Sequence, residues 1–250
     1  MTGNTVPSAF GLATQELDGI IDVAQRLYSE DWERPAGLGE WTIAELGAHV
    51  AEIAWRQAEA FHRYRLATAE APGPAPIPPD PRDLPERLAC SADHLRSAAA
   101  HGFDETPAVP LPFASLPASI AAQVIAIEYG VHRYDLHRAV DDITPLRAGV
   151  ARLILDQAPV YLLMIGQPAP DGAGYRLRSD TLDMAIVRAD DQWQLAHTRD
   201  AVCTITGSDE HLAPFTMGPT PTRRPPPRPK RTDRARPVQD ALPRPIEETR

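Results

Sequence analysis

Cysteine is nearly absent from this sequence, and so is lysine. Cys90 and Cys203 are the two cysteines among 250 residues, too few and too far apart for a disulfide framework or a Cys-rich zinc site. Lys230 is the one lysine among 25 basic residues; with abundant Ala, Arg and Pro this is a compositional bias that carries no mechanism. No apolar run reaches about 18 residues, so no membrane span is predicted. The opening stretch MTGNTVPSAFGLATQ lacks a basic segment followed by an apolar core, and no secretory leader is read there. These absences predict a protein of the reducing cytoplasm.

What is present is acidic in one part and basic in another. The net charge is −9. From Pro219 onward nine basic residues stand against four acidic ones, a net of +5, so the first 218 residues carry 16 basic and 30 acidic groups, a net of −14. An acidic body lacks the phosphate-neutralising cations that nucleic-acid binding needs. The hydrophobic share of 43% fits a soluble globular protein, and the length suffices for a sizeable core.

Apolar positions from Leu12 to Leu27 predict a helix over residues 8–30. Thr42 and Glu45 have the spacing of a capping box, with Trp41 and Leu46 as its hydrophobic staple, which opens a second helix to about Ala67. Prolines in EAPGPAPIPPDP end it. A third helix is predicted from Leu84 to Ala100. A loop, DETPAVPLPFASLP, leads to a fourth helix with Pro117 in its first turn, running through Val140. A fifth opens at Thr144-Pro145 and reaches Ile165. Short alternating runs at YRLRS, MAIVRA, WQLAHT and AVCTITG then predict a small sheet, followed by a helix capped by Ser208. The division is a helical bundle at 8–166, a small α/β unit at 167–216 and a Pro/Arg-rich tail at 217–250 with too little apolar content to fold. The fold class is α+β.

One stretch raises a chemical question. In IEYGVHRYDLHRA, Ile127 to Ala139, a helix expected to be apolar carries Glu128, His132 and Asp135 on one face, since residues three and four apart are neighbours on a helix. Burying such groups costs free energy unless each finds a partner. A salt bridge, a solvated face or a metal ion would each compensate, and the spacing does not choose among them. An acid and a neutral imidazole are half of a divalent-metal site, and in a bundle the remaining donor comes from a facing helix. His49, in ELGAHVAEIAW, is the best candidate, because it shares a face with Leu46, Ile53 and Arg56. His62 faces nearly the other way, His94 and His101 lie near solvent, and His197 and His211 belong to the second region. A lone buried histidine is more often a hydrogen-bonded core residue than a ligand.

EWTIAELGAHVAE together with EYGVHRYDLHRAV resembles the mycothiol-dependent maleylpyruvate isomerases, members of the wider DinB-like group of metal-binding four-helix bundles. Trp41, His49, Glu128, His132, Tyr134 and Asp135 carry the resemblance, with Tyr134 where tryptophan is more usual. It covers residues 10–165 and continues more weakly to about 215. The resemblance implies a DinB-like bundle, a zinc or other divalent ion on His49, Glu128 and His132, and mycothiol as thiol cofactor. It implies a small electrophilic substrate like maleylpyruvate, isomerised by addition of the thiol, rotation and elimination. Asp135 would orient His132 or the thiol, or instead pair with Arg133 or Arg138. The family's C-terminal unit resembles sterol-carrier proteins and supplies an arginine; this chain turns to its Pro/Arg tail after Phe215, a shortened unit in which no arginine matches that role. Thiol S-transfer for detoxification and a non-catalytic metal-binding module are the alternative functions.

Overall fold

The computed structural model describes residues 6–65, 80–99, 108–112, 114–165, 170–190, 192–197, 200–201 and 203–216. Four helices form the first part: α1 (Val6–Ala24), α2 (Ile43–Arg65), α3 (Leu84–Ala99) and α4 (Ala118–Ala139). Helix α5 (Ala148–Ile165) follows, then strands that pair as a four-stranded sheet, and finally α6 (Asp209–Thr216). The predicted tail from 217 onward lies outside the described residues, as does His101.

The capping box forms as the sequence predicts. The Thr42 amide donates to Glu45 Oε2 at 2.7 Å, and the Glu45 amide donates to Thr42 Oγ1 at 3.2 Å. Two free amides at the start of α2 are thereby satisfied reciprocally. Helix α1 stops at Ala24 rather than near residue 30, because the chain tightens there: the amides of Arg26 and Leu27 reach back only three residues, to Val23 and Ala24. The turn lets Trp32 be buried, its ring in contact with the place where Gly47 of α2 has no side chain.

Two further boundaries differ from the sequence reading. Pro117 is the residue before α4 and not part of its first turn. Helix α5 begins at Ala148, four residues after Thr144, because Asp142 holds the Thr144 amide and hydroxyl at 2.9 and 2.8 Å and keeps that segment out of the helix. The stretch read as a plain loop contains a short antiparallel pair, β1 (Val109–Pro110) with β2 (Ser115–Leu116). Two residues per strand give no periodicity to read, and a proline is tolerated at such an edge.

The sheet is β5–β4–β3–β6, built from β3 (Gly174–Arg178), β4 (Asp183–Ala189), β5 (Gln192–Ala196) and β6 (Cys203–Thr206). Strands β3, β4 and β5 pair antiparallel in sequence order, and β6 returns parallel to β3. Ser208 opens α6: its carbonyl accepts the amides of His211 and Leu212, and its hydroxyl meets the His211 ring at 2.8 Å.

One large apolar core runs through the helices and includes Leu17, Ile20, Phe61, Leu95, Ile125 and Ile154. Helix α1 packs along α4, and α2 against α3. A smaller core of Ala158, Leu177, Ile186 and Trp193 lies under the sheet. Helix α5 serves both cores, with Val150 to Leu155 in the first and Ala158 in the second, and α6 returns Leu212 and Ala213 to the first. None of the described helices is long and apolar enough to cross a membrane.

Candidate metal centre

Helix α4 buries most of its surface, and Glu128 and His132 of its 128–132–135 ridge converge with His49 of α2. The ridge is half-buried at Glu128 and His132 and buried at Asp135. The capping box places the start of α2 so that His49, seven residues past the cap, faces this ridge. One donor atom from each of His49, Glu128 and His132 comes within 4.8 Å of the other two. The imidazoles of His49 and His132 stand edge to face, with centroids 5.1 Å apart. Among the described residues this is the one group of His, Cys, Asp or Glu side chains so converged.

The two nitrogens of His132 have different neighbours. Nε2 lies 3.7 Å from Glu128 Oε1, and Nδ1 lies 3.6 Å from Asp135 Oδ2. Nδ1 is buried and has no hydrogen-bond partner, since 3.6 Å is beyond hydrogen-bond reach. A carboxylate facing one ring nitrogen favours the tautomer that leaves the other nitrogen's lone pair for an ion. Burial presses the His132 pKa down, but Asp135 and Glu128 raise it more, to about 9. His49 moves the other way: burial lowers its pKa first and the neighbouring His132 lowers it further, against weaker opposition from Glu128 and Glu52.

Two imidazoles and a carboxylate match the three-ligand donor set of catalytic zinc sites, which keep a fourth position open. With His132 deprotonated, Glu128 and Asp135 leave two negative charges around the group, the complement of a divalent cation. The residues therefore fit a metal ion of this kind.

The alternatives left by the sequence have different fates. Arg133 turns away from Asp135 to hydrogen-bond Glu16 and the Pro145 carbonyl. Arg138 donates to the Tyr134 hydroxyl at 3.2 Å and lies over its ring. Neither arginine takes Asp135, whose near neighbour is His132. The cap spacing predicts Trp41 as half of a staple with Leu46. Leu46 is buried in the core, while Trp41 keeps 38% of its surface exposed and sets its ring 5.1 Å from His49. Its indole is thus a wall of the site, a role that the cap spacing alone does not reveal. His62 is exposed, and His94 bonds Glu59 and stacks on Trp55, away from the group.

The model of the mycothiol maleylpyruvate isomerase N-terminal domain matches residues 13–137, half of the chain, and spans all three converging residues. The chain belongs to this family. Among solved structures, a crystal structure of the mycothiol-dependent maleylpyruvate isomerase is similar with a TM-score of 0.62 at 17% identity, covering 86% of this chain and 90% of that one. A histidine-to-alanine mutant of that isomerase gives 0.60 at 17% identity, covering 85% and 88%. At this identity the likeness to these family members is one of fold, and it extends beyond the helices into the sheet. No curated protein matches the sequence.

Proposed function

We propose that the protein is a metal-dependent enzyme of this family that uses a low-molecular-weight thiol, mycothiol, to isomerise a small electrophilic acid of the maleylpyruvate kind. The observation that carries the reading is the convergence of His49, Glu128 and His132 within 4.8 Å, on a fold shared with a mycothiol-dependent isomerase. His49, Glu128 and His132 would hold the ion, with zinc favoured by the donor set. A divalent ion bound there lowers the pKa of a coordinated thiol and so supplies a thiolate at neutral pH.

The chain's own groups have distinct tasks in this reading. Asp135, whose carboxylate faces Nδ1 of His132 at 3.6 Å, would favour the tautomer that leaves Nε2 free for the ion. Trp41 covers His49 and restricts water on that side. The reaction needs the thiol sulfur to add to one carbon of a conjugated cis double bond, leaving a single bond that rotates. Expulsion of the same sulfur then restores the double bond in the trans form, with no net change of atoms.

The test is metal content followed by turnover. Purified protein is expected to hold about one zinc per chain, and His49→Ala and Glu128→Ala are expected to lose it while keeping their helical circular dichroism. Mycothiol with maleylpyruvate should then give the trans isomer only with metal-loaded protein. Absence of zinc uptake by the wild-type chain, even when zinc is supplied, would sink this reading.

A further inference from the structure

Each metal-site residue of α4 is followed by a buried polar residue that holds another helix. Tyr129 follows Glu128, and Arg133 follows His132. They too are four apart, so they form a ridge of their own, one residue step of about 100° round the helix from the first. Tyr129 is fully buried and Arg133 is 3% exposed. The Tyr129 hydroxyl donates to Gln57 Oε1 on α2. Arg133 donates from Nε to Glu16 Oε2 on α1 and from Nη2 to the Pro145 carbonyl at 3.0 Å. Glu16, itself without exposed surface, also has Arg147 Nε 3.1 Å from its other oxygen. Room for Arg133 comes from Gly19 of α1: a Cβ there would stand 2.6 Å from Arg133 Cδ.

Apolar packing leaves a helix some freedom to roll, because methyl groups accept neighbours over a range of directions. A hydrogen bond between buried groups does not, since it fails within a few tenths of an ångström. A buried ion pair adds little stability over an apolar pair of similar volume, so stability is a poor account of Glu16 and Arg133. Rotation is a better one. At the outer radius of a helix, about 5–6 Å, a roll of roughly 20° moves an atom by about 2 Å. A metal site tolerates about 0.2 Å.

We propose that Tyr129 and Arg133 are positioning residues that set the rotation and height of α4, and so bring Glu128 and His132 to His49. The inference rests on the metal-centre reading for its purpose, but its geometry can be tested apart from it. The variants are the double exchange Glu16→Leu with Arg133→Met, the single Tyr129→Phe, and Gly19→Ala, whose methyl group displaces Arg133. Leu95→Ala, a core truncation on α3, is the control for lost stability alone. Zinc affinity is read by chelator competition, and crystal structures of the metal-free variants read the separation of the His49 and His132 rings, 5.1 Å here.

The double exchange should stay folded, bind zinc about 10–100-fold more weakly, and show the two rings further apart. Tyr129→Phe and Gly19→Ala should move both readouts the same way by less, and they carry the test if the double exchange does not fold. Leu95→Ala should lower the melting temperature and leave zinc affinity unchanged. Folded variants with wild-type zinc affinity and an unmoved ring pair would overturn the proposal. If the wild-type chain takes up no zinc, the metal reading fails alone, and the ring separation still decides whether Tyr129 and Arg133 position the ridge.

Discussion

A zinc ion arriving at His132 has to displace a proton. In the metal-free protein the carboxylates of Asp135 and Glu128, against burial, hold the His132 pKa at about 9, above the ordinary value of 6.5. The folded pKa is the raised one, so the proton's stabilising effect is complete below about pH 6.5 and disappears as pH rises through 9. Metal binding runs the other way. Apparent zinc affinity should rise about tenfold per pH unit between roughly pH 7 and 9 and level off above. His49, with its pKa lowered, adds no competing proton in that window. Chelator competition at several pH values measures the slope, and a flat profile would mean that His132 does not exchange a proton for the metal. Glu128 and His132 are legible in the sequence because a four-residue spacing on a helix leaves few choices of face. Glu16 is not: its hydrogen-bond partner stands 117 residues away, and a single acid in an apolar helix carries no sign of what it will meet.

The helices as elements follow from local rules, and their contacts do not. The capping box at Thr42 and Glu45 is a local device, so its geometry was readable; Thr42→Ala should cost about 1 kcal/mol by chemical denaturation. The crossing of α4 and α5 is set instead by what faces what. A Cβ at Gly130 would lie 2.4 Å from Val150 Cγ1, so α5 sits against bare backbone. Gly130→Ala should destabilise by about 1–3 kcal/mol through overpacking, and adding Val150→Ala should recover part of that loss. Equal effects of Gly130→Ala with and without Val150→Ala would show that the contact is not the cause. Sequence periodicity marks Gly130 only as one more small residue in an apolar helix. The β1–β2 pair is silent in the sequence for the opposite reason, because two residues per strand are too short to have a period.

Seen whole, the bundle and the sheet share parts. Helix α5 contributes to both cores, and α6, which follows the sheet in the chain, puts Leu212 into the helical core at 3% exposure. Calorimetry should therefore give one unfolding transition, and Leu212→Ala should lower its midpoint, at a cost of about 2–5 kcal/mol. Two separable peaks, with only one of them moved, would show that the sheet and bundle unfold independently. The break in texture near residue 166 is plain in the sequence, but the return of α6 is not, since eight residues with an internal Pro214 say nothing about which core they join.

The long reach between Glu16 and Arg133 also has a consequence during biosynthesis. Chains lengthen at about 5–20 residues per second, so with 117 residues between them Glu16 of α1 leaves the ribosome roughly 6–23 seconds before Arg133 of α4 can meet it. Over that interval Leu17 and Ile20, which end in the core, have no α4 to cover them. A nascent chain halted before α4 should then be a substrate for hydrophobic-binding chaperones, and one extended past α5 should be released.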